Sequence, residues 1–305
     1  LISIILPTYN GSELIREALE SLIKQNYPNI EIFISDDNST DDTYEICQKY
    51  KKKYKNIFLT KNKFNLGGTE NFLKTFKDNA RGELFLWAQQ DDIWDQNFLS
   101  KLYNEMSKDK NILISMCKTA VFLENSQKII DYYAFDGEFN PNKMNNFKLA
   151  KHTLKCFFPG VKMPKFNIFI HGLIKTSYFK SILNKYPGLF ATERHLLVQM
   201  ALIGRFQYIS EILYFRKIYI DENRRKHTGS YKFRNVWYSP LRNLIQILFS
   251  VFSSNELTFV KKTYIIPIMI NYYIERVLLF LIPKLKIIMP KSIYIYIKKN
   301  LIGNR

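Results

Sequence analysis

Short apolar segments alternate with amphipathic segments along the first hundred residues, and this alternation limits the fold more than any other feature of the chain. Residues 1–7, 30–35 and 84–88 are apolar runs of strand length, as expected of strands buried on both faces of a sheet. Between them apolar residues recur at helical spacing, for example over 12–25. Strands alternating with helices of this length predict parallel βαβ units with right-handed crossovers, and so an α/β fold.

The same reasoning extends the predicted elements to residue 214. Further strands are predicted at 56–60, 113–123, 166–173 and 206–214, and further helices at 42–54, 69–79, 96–107, 177–185 and 192–203. Polar residues follow several of the strands, and open α/β sheets bind ligands at the carboxyl ends of their strands. No glycine-rich phosphate loop follows the first strand, which argues against dinucleotide binding and P-loop hydrolysis.

The segment GELFLWAQQDDIW, residues 82–94, joins a buried strand to two adjacent acids, Asp91 and Asp92. Two carboxylates at the end of a buried strand repel each other and lose hydration. A divalent cation such as Mg²⁺ or Mn²⁺ would remove that penalty and keep coordination positions for substrate phosphates. The alternative is that Asp92 or Asp95 caps the helix predicted at 96–107.

Charge is distributed unevenly along the chain, whose net charge is +18. Residues 1–140 hold 17 basic and 21 acidic residues, whereas the remainder holds 28 and 6. A basic half indicates a polyanionic partner, either nucleic acid or an anionic membrane. The three cysteines have no paired spacing, which predicts neither a disulfide framework nor a zinc site. The first strand begins without a charged leader, so no signal peptide is expected.

The C-terminal segment, residues 231–305, interleaves apolar and aromatic stretches with lysine and arginine. Its longest apolar run contains the charged pair Glu275 and Arg276, which would be costly inside a bilayer. Helices lying in the membrane interface are therefore favoured over a transmembrane crossing. The alternative is an ordinary helical subdomain with solvated lysines.

Four segments together resemble family-two glycosyltransferases, which have the GT-A fold. They are SIILPTYNG, IEIFISDDNSTDDT, NLGGTENFLKTFKDNARGE and QQDDIW, in this order. The resemblance is strong over residues 1–100, traceable to about 230 and absent beyond. It implies a mixed, mainly parallel sheet with flanking helices. It divides residues 1–230 into a nucleotide-sugar-binding half (1–100) and an acceptor-binding half (101–230). The composition of residues 231–305 predicts a basic helical, membrane-associating segment after them.

The resemblance also assigns roles to residues of the first half. Pro7, Thr8 and Tyr9 would line the nucleotide base pocket, and Asp37 would hydrogen-bond the base; a turn role is the alternative for Asp37. Asp91 matches the metal-binding acid, with Asp92 as its neighbour.

The two glutamines before these acids are assigned to the nucleotide sugar. Gln89 stands where many relatives have the first acid of a D-x-D motif, so one negative charge is missing there. An uncharged Gln89 or Gln90 can still hydrogen-bond a ribose hydroxyl.

In the second half, Glu193 matches the position of the general base, with stabilisation of its helix N-terminus as the alternative. His171 matches a histidine of the acceptor region, and the alternative is a core residue. Arg224, Arg225 and His227 lie where relatives have a loop that closes over the diphosphate; a solvated run of charges is the alternative.

The implied reaction is an inverting, metal-assisted transfer from a nucleotide-diphosphate sugar to a hydroxyl of a glycan or lipid-linked glycan, in surface polysaccharide assembly. The enzyme is expected in the cytoplasm, on the inner face of the membrane, without a nucleic-acid partner. Two other functions stay open. A polyanion-binding protein without catalytic activity would use the basic half. A nucleotidyltransferase would also use acids at strand ends, but the expected glycine-rich, basic loop is absent.

Overall fold

The computed structural model describes residues 1–123, 128–155, 166–185 and 192–219, together with four single positions between 263 and 270. The chain divides into two compact units. The first unit comprises Leu1–Met144, Ile168–Ser181 and Gly204–Arg234, and the second comprises Asn145–Asn167, Ile182–Ile203 and Asn235–Arg305. The boundaries at residues 100 and 230 that the sequence suggests stay predictions.

One mixed sheet of nine strands lies within the first unit. The strands are β1 (Ile2–Thr8), β2 (Ile30–Asp36), β3 (Ile57–Lys61), β4 (Leu84–Trp87), β5 (Ile93–Trp94), β6 (Ile112–Leu123), β7 (Ile129–Tyr133), β8 (Leu173–Lys175) and β9 (Arg205–Ile218). Their order is β3-β2-β1-β4-β8-β6-β9-β5, and β7 pairs with β6.

The first four strands of that order are parallel, so their carboxyl ends meet at one edge of the sheet. β8 then runs antiparallel to both β4 and β6, whereas β6 and β9 form a long parallel pair. The two-residue strand β5 closes the order, antiparallel to β9. The segment that follows β4 at the carboxyl edge therefore pairs with β9 through β5.

Seven α-helices are described. They are α1 (Ile15–Ile23), α2 (Thr43–Lys53), α3 (Gly68–Asn79), α4 (Phe98–Ser107), α5 (Asn146–Lys155), α6 (Thr176–Lys185) and α7 (Thr192–Ile203). The helices of the first unit bury the apolar face that their spacing predicts; on α1 this face is Ile15, Ala18, Leu19 and Leu22. In the second unit α5 and α7 are joined by a hydrogen bond from Asn146 Nδ2 to the carbonyl oxygen of Ala201 (2.9 Å).

An aromatic cluster forms part of the core beside the parallel strands. The ring centroid of Phe76 lies 4.6 Å from that of Phe85 and 4.8 Å from that of Phe179. Phe72 stacks on Trp87 with their ring centroids 3.5 Å apart. These rings join α3, β4 and the start of α6, and their burial is a large apolar contribution to stability.

The segment predicted as a strand at 166–173 is different in the structure. Phe166–His171 is a 3-10 helix, and the strand β8 begins only at Leu173. Gly172 lies between them. Glycine is needed at this position because a Cβ there would lie 2.3 Å from the carbonyl oxygen of Ser115. A short apolar run is compatible with either structure, so its periodicity could not distinguish them.

Two other predicted boundaries also change. β9 continues to Ile218, four residues beyond the strand predicted at 206–214, so Arg216 lies within the strand. Helix α4 begins at Phe98, and the backbone N–H of Asn97 donates to Asp95 Oδ1 (2.8 Å). Asp95 therefore makes a turn before this helix, whereas Asp92 makes its contacts elsewhere.

The strand β7 is exposed along most of its length. It pairs only with β6 among the described strands, and Ile129, Ile130 and Tyr132 are exposed. Of residues 231–305 only the four single positions are described, so the proposed membrane-interface helices stay a prediction. Within the described residues no helix has both the length and the hydropathy needed to span a bilayer.

We expect Phe76→Ala to lower the free energy of unfolding by about 3–5 kcal/mol, since it opens a cavity among the rings of Phe85 and Phe179. Urea unfolding followed by fluorescence measures this change. Phe64→Ala is the matched control because Phe64 is 65% exposed, and it should change stability by less than about 0.5 kcal/mol. Equal effects of the two substitutions would contradict the packing described here.

Candidate functional site

The loops that follow β1 and β2 are hydrogen-bonded to each other at the carboxyl edge of the sheet. Asn10 and Asn38 both have positive φ, 45° and 63°, a conformation that asparagine tolerates better than most residues. The N–H of Asn10 donates to Ser39 Oγ (3.0 Å), and the N–H of Thr40 donates to Asn10 Oδ1 (2.9 Å). The N–H of Gly11 donates to Thr43 Oγ1 (2.8 Å). These bonds fix the turn that begins at Tyr9, directly after Pro7 and Thr8 at the end of β1.

Gln90 holds the same turn from the side of β4. Its Oε1 accepts from the Thr8 hydroxyl and from the N–H of Tyr9 (2.9 Å), and its Nε2 donates to the carbonyl oxygen of Tyr9 (3.1 Å). Gly11 makes room for this amide, because a Cβ at residue 11 would lie 2.5 Å from Gln90 Oε1. Gln90 is buried, whereas its neighbour Gln89 is partly exposed. The amide of Gln90 therefore supports the turn, and the assignment of Gln89 and Gln90 to the nucleotide sugar stays a prediction.

Asp37 organises the loop before α3. Its Oδ1 accepts from Asn62 Nδ2 (2.8 Å) and the N–H of Leu66 (2.9 Å), and its Oδ2 accepts from the N–H of Gly67 (2.8 Å). A carboxylate has about four lone-pair positions, so three donors leave one for a ligand. The turn role considered for Asp37 belongs to Asp36, whose Oδ2 accepts from the N–H of Ser39 (3.0 Å).

The acid pair after β4 meets the end of β9. Asp92 is buried and accepts from the hydroxyl of Tyr214 and, at Oδ1, from the N–H of Lys217 (3.3 Å). Asp91 is partly buried, and Tyr219 lies beside it. Ile93 of β5 pairs with Phe215 of β9, and this register brings Arg216 beside both acids.

Burial and mutual repulsion disfavour the charged form of these acids. Burial raises the pKa of Asp91 above its usual range, and the positive charge of Arg216 opposes this. Burial and the neighbouring charge of Asp91 raise the pKa of Asp92, again against Arg216. Arg216 therefore partly compensates the pair, and the remaining cost is the kind that a bound cation relieves.

His171 lies in the core beside this cluster. It is buried, its Nδ1 is 3.3 Å from the carbonyl oxygen of Trp87, and its ring centroid is 6.4 Å from that of Tyr214. Burial and the nearby Arg216 lower the pKa of His171 to about 3, so the imidazole is neutral at pH 7. These contacts are those of a core residue that borders the site.

The acid pair fits a cation that takes most of its ligands from substrate and water. No group of three or more His, Cys, Asp or Glu side chains in the described part of the chain is arranged around a metal position. Asp92 is engaged at both oxygens, which leaves Asp91 as the acid available for coordination. Mg²⁺ is commonly bound by one or two carboxylates together with substrate phosphates, so this donor set is sufficient.

The remaining predicted site residues cannot be compared with this geometry. Glu193 lies in the first turn of α7, as expected from its sequence, but its side chain is outside the described part of the structure. Arg224, Arg225 and His227 also lie outside the described residues. Their roles stay predictions.

Comparison with known proteins identifies the family of the chain. The model of the family described as glycosyl transferase family 2 matches residues 3–171, more than half of the chain. The chain belongs to glycosyl transferase family 2. This confirms the resemblance found in the four sequence segments.

Two curated relatives show how far the similarity extends. Poly(ribitol-phosphate) beta-glucosyltransferase of Bacillus spizizenii is 37% identical over 119 residues, which cover 38% of this chain and 19% of that protein. The dTDP-rhamnosyl transferase RfbG of Shigella flexneri is 42% identical over 92 residues, which cover 28% of this chain and 32% of that protein. The aligned region is therefore less than two thirds of each relative's length.

A solved structure confirms the expected GT-A fold. S. aureus TarS 1-349 in complex with UDP-GlcNAc superposes with a TM-score of 0.61 at 20% identity. The alignment covers 92% of this chain and 73% of that one. At this identity the likeness concerns the fold alone, and it agrees with the mixed α/β sheet and flanking helices described above.

Several residues that build the site were not singled out from the sequence. Asn62 bonds Asp37, Tyr214 bonds Asp92, and Arg216 lies beside the acid pair. Asn62 had a local signal, since it opens the loop before α3. Tyr214 and Arg216 had none, because more than a hundred residues separate them from the acids they contact.

We expect Gln90→Ala to lower the free energy of unfolding by about 1–3 kcal/mol, because it leaves the N–H and carbonyl of Tyr9 without their side-chain partner. Chemical denaturation measures the loss. Gln89→Ala is the matched control on the adjacent, partly exposed residue and should change stability by less than about 0.5 kcal/mol. A loss confined to Gln89→Ala would refute the role assigned to Gln90.

Proposed function

We propose that this protein is an inverting glycosyltransferase that moves a sugar from a nucleotide-diphosphate donor to a hydroxyl of a glycan or lipid-linked glycan acceptor. One observation carries the proposal. The turn after β1, the carboxylate of Asp37 after β2 and the acid pair after β4 lie at the same edge of three adjacent parallel strands. Ligands of open α/β sheets bind at such an edge.

Family membership and the names of the relatives support the substrate classes. The relatives are named as a glucosyltransferase acting on poly(ribitol phosphate) and a dTDP-rhamnosyl transferase, and the TarS structure contains UDP-GlcNAc. The second name and the TarS complex each contain a nucleotide sugar, and the sugars differ. We therefore propose a nucleotide sugar as the donor class for this chain and a surface polysaccharide as its acceptor class.

The donor side of the proposed reaction uses residues with defined positions. Thr8 and Tyr9 line the base pocket on a turn fixed by Gln90, and the remaining acceptor position of Asp37 takes an N–H of the base. Arg216 stands beside the acids, where a diphosphate would bring further negative charge.

Asp91 is the proposed ligand of a divalent cation, Mg²⁺ or Mn²⁺. When bound, such a cation stabilises negative charge on the leaving diphosphate. Asp92 keeps Asp91 at the end of β9 through its own bonds to Tyr214 and Lys217. Gln89 replaces the first acid of the D-x-D motif and carries no charge, so we assign it to a hydrogen bond with a ribose hydroxyl.

Glu193 is the proposed general base. It would accept the proton of the acceptor hydroxyl as that oxygen attacks the anomeric carbon from the face opposite the leaving group. A single displacement of this kind inverts the anomeric configuration. The basic segment 231–305 would hold the enzyme at the anionic inner face of the cell membrane, close to a lipid-linked acceptor.

A panel of nucleotide-diphosphate sugars, each with and without MnCl₂, tests the donor class by thermal shift. At least one donor should raise the melting temperature, and more so with Mn²⁺, because ligands that bind only the native state stabilise it. Asp91→Asn should remove the Mn²⁺-dependent part. Asp109→Asn, which affects a surface ion pair with Arg205, should retain it. No stabilisation by any donor would refute the proposed function.

Glu193→Gln should lower kcat by about 10²–10⁴-fold while leaving donor affinity nearly unchanged, since a general base acts in the transition state. Steady-state transfer kinetics and donor titration measure the two quantities on the donor found above. Glu138→Gln, on an exposed residue of a 3-10 turn, is the control for the loss of one carboxylate. If Glu193→Gln lowered only the melting temperature, the helix N-terminus would be its role.

A further inference from the structure

A second cavity lies away from the carboxyl edge, between the edge strand β3 and the C-terminal ends of α2 and α3. Its volume is about 470 Å³, within the range of small-molecule sites. Four basic residues line it, Lys51, Lys77, Arg81 and Lys180, and Asp78 is its acidic residue. All of these belong to the first unit.

The cavity is separated from the proposed donor site along the strands. Arg81 contacts Glu31 at the amino end of β2, whereas Asp36 stands at the carboxyl end of the same strand. Five residues of extended chain correspond to roughly 16 Å. A ligand in this cavity therefore does not share the loops that hold Asp37 and Asp91.

At one wall of the cavity, Arg81 joins a hydrogen-bond network with Glu31 and Ser3. Arg81 Nε donates to Glu31 Oε2 (3.0 Å), and the Ser3 hydroxyl donates to Glu31 Oε1 (2.7 Å). The guanidinium carbon of Arg81 also lies 5.5 Å from the ring centroid of Phe33 and 5.6 Å from that of Phe58. The side chain of Arg81 is 62% exposed, so its bond to Glu31 and its two ring contacts orient it at the cavity without burying it.

The two phenylalanines provide an aromatic surface in the same wall. Phe33 and Phe58 stack with their ring centroids 4.9 Å apart. Phe33 is buried, whereas Phe58 is 39% exposed on the edge strand β3. An exposed ring beside several cations suits a ligand that has both an apolar and an anionic part.

The three lysines come from three different helices and have no counter-ion. Within the part of the chain that the structure describes, Lys51, Lys77 and Lys180 form neither an ion pair nor a side-chain hydrogen bond. Like charges that converge on one cavity repel each other unless an anion joins them. Lys51 and Lys77 also lie in the last turns of α2 and α3, where a cation complements the helix dipole. That role does not account for Lys180 or for the aromatic wall.

We propose that this cavity binds a phosphate ester, with the phosphate among the three lysines and the organic part against Phe33 and Phe58. A phosphate presents three oxygens and a charge that several ammonium groups can share. The same chemistry occurs in a free phosphorylated small molecule and in the headgroup of an anionic phospholipid.

Calorimetric titration of the full chain with phenyl phosphate and with inorganic phosphate tests the proposal. A second arm measures co-sedimentation with vesicles of phosphatidylglycerol or phosphatidylcholine. The cavity variant replaces its three lysines by glutamine: Lys51→Gln, Lys77→Gln and Lys180→Gln. The control variant makes the same charge change at or just after two other helix ends: Lys24→Gln, Lys108→Gln and Lys110→Gln.

The cavity variant should bind its probe about tenfold or more weakly, whereas the control variant should bind it as the wild type does. Loss of phenyl phosphate binding identifies a free ester as the source, and selective loss of phosphatidylglycerol binding identifies a lipid headgroup. Phe58→Ala should reduce the preference for phenyl phosphate over inorganic phosphate. Equal behaviour of the two triple variants with both probes would overturn the proposal. Donor-induced stabilisation, measured in parallel, should persist in both variants, so this failure is distinct from failure of the proposed function.

Discussion

The carboxylate of Asp92 is the interaction on which the arrangement of the site depends. A buried carboxylate is costly unless its oxygens are bonded, and the partners of Asp92 are the Tyr214 hydroxyl and the N–H of Lys217. Both partners belong to β9, whereas Asp92 follows β4. These bonds therefore attach the segment after β4, in the parallel half of the sheet, to β9 in the other half. Asp91, one residue earlier, is left partly exposed at that junction.

The parallel half of the sheet could be predicted because its signals are local. β1, β2 and β4 are apolar runs with polar residues directly after them, and their carboxyl ends share one edge, as the alternation with helices required. The prediction of a strand at 166–173 was wrong because a buried 3-10 helix and a buried strand have the same apolar composition. Only the close approach of Gly172 to Ser115, a contact between distant parts of the chain, decides between them.

The same distinction between local and distant information applies within the site. The position of Asp37 and Asp91 at the carboxyl edge could be predicted, because each acid follows a strand in the sequence. The hydrogen bonds between Gln90 and Tyr9 could not be predicted from the sequence. An amide beside two acids can bind a ligand as well as a turn 81 residues away. Tyr214 and Arg216 lie beyond residue 171, where the family match ends. β9, the strand that carries these partners of the acid pair, thus lies outside the family match.

The position of β7 has a consequence for how the sheet opens. β7 pairs only with β6 among the described strands and exposes Ile129, Ile130 and Tyr132, whereas β1 is buried between β2 and β4. Separating β7 from β6 uncovers little additional apolar surface, but separating β1 from its neighbours disrupts the core. The amide protons of β7 therefore exchange with solvent through local fraying, and those of β1 exchange only when the whole unit unfolds.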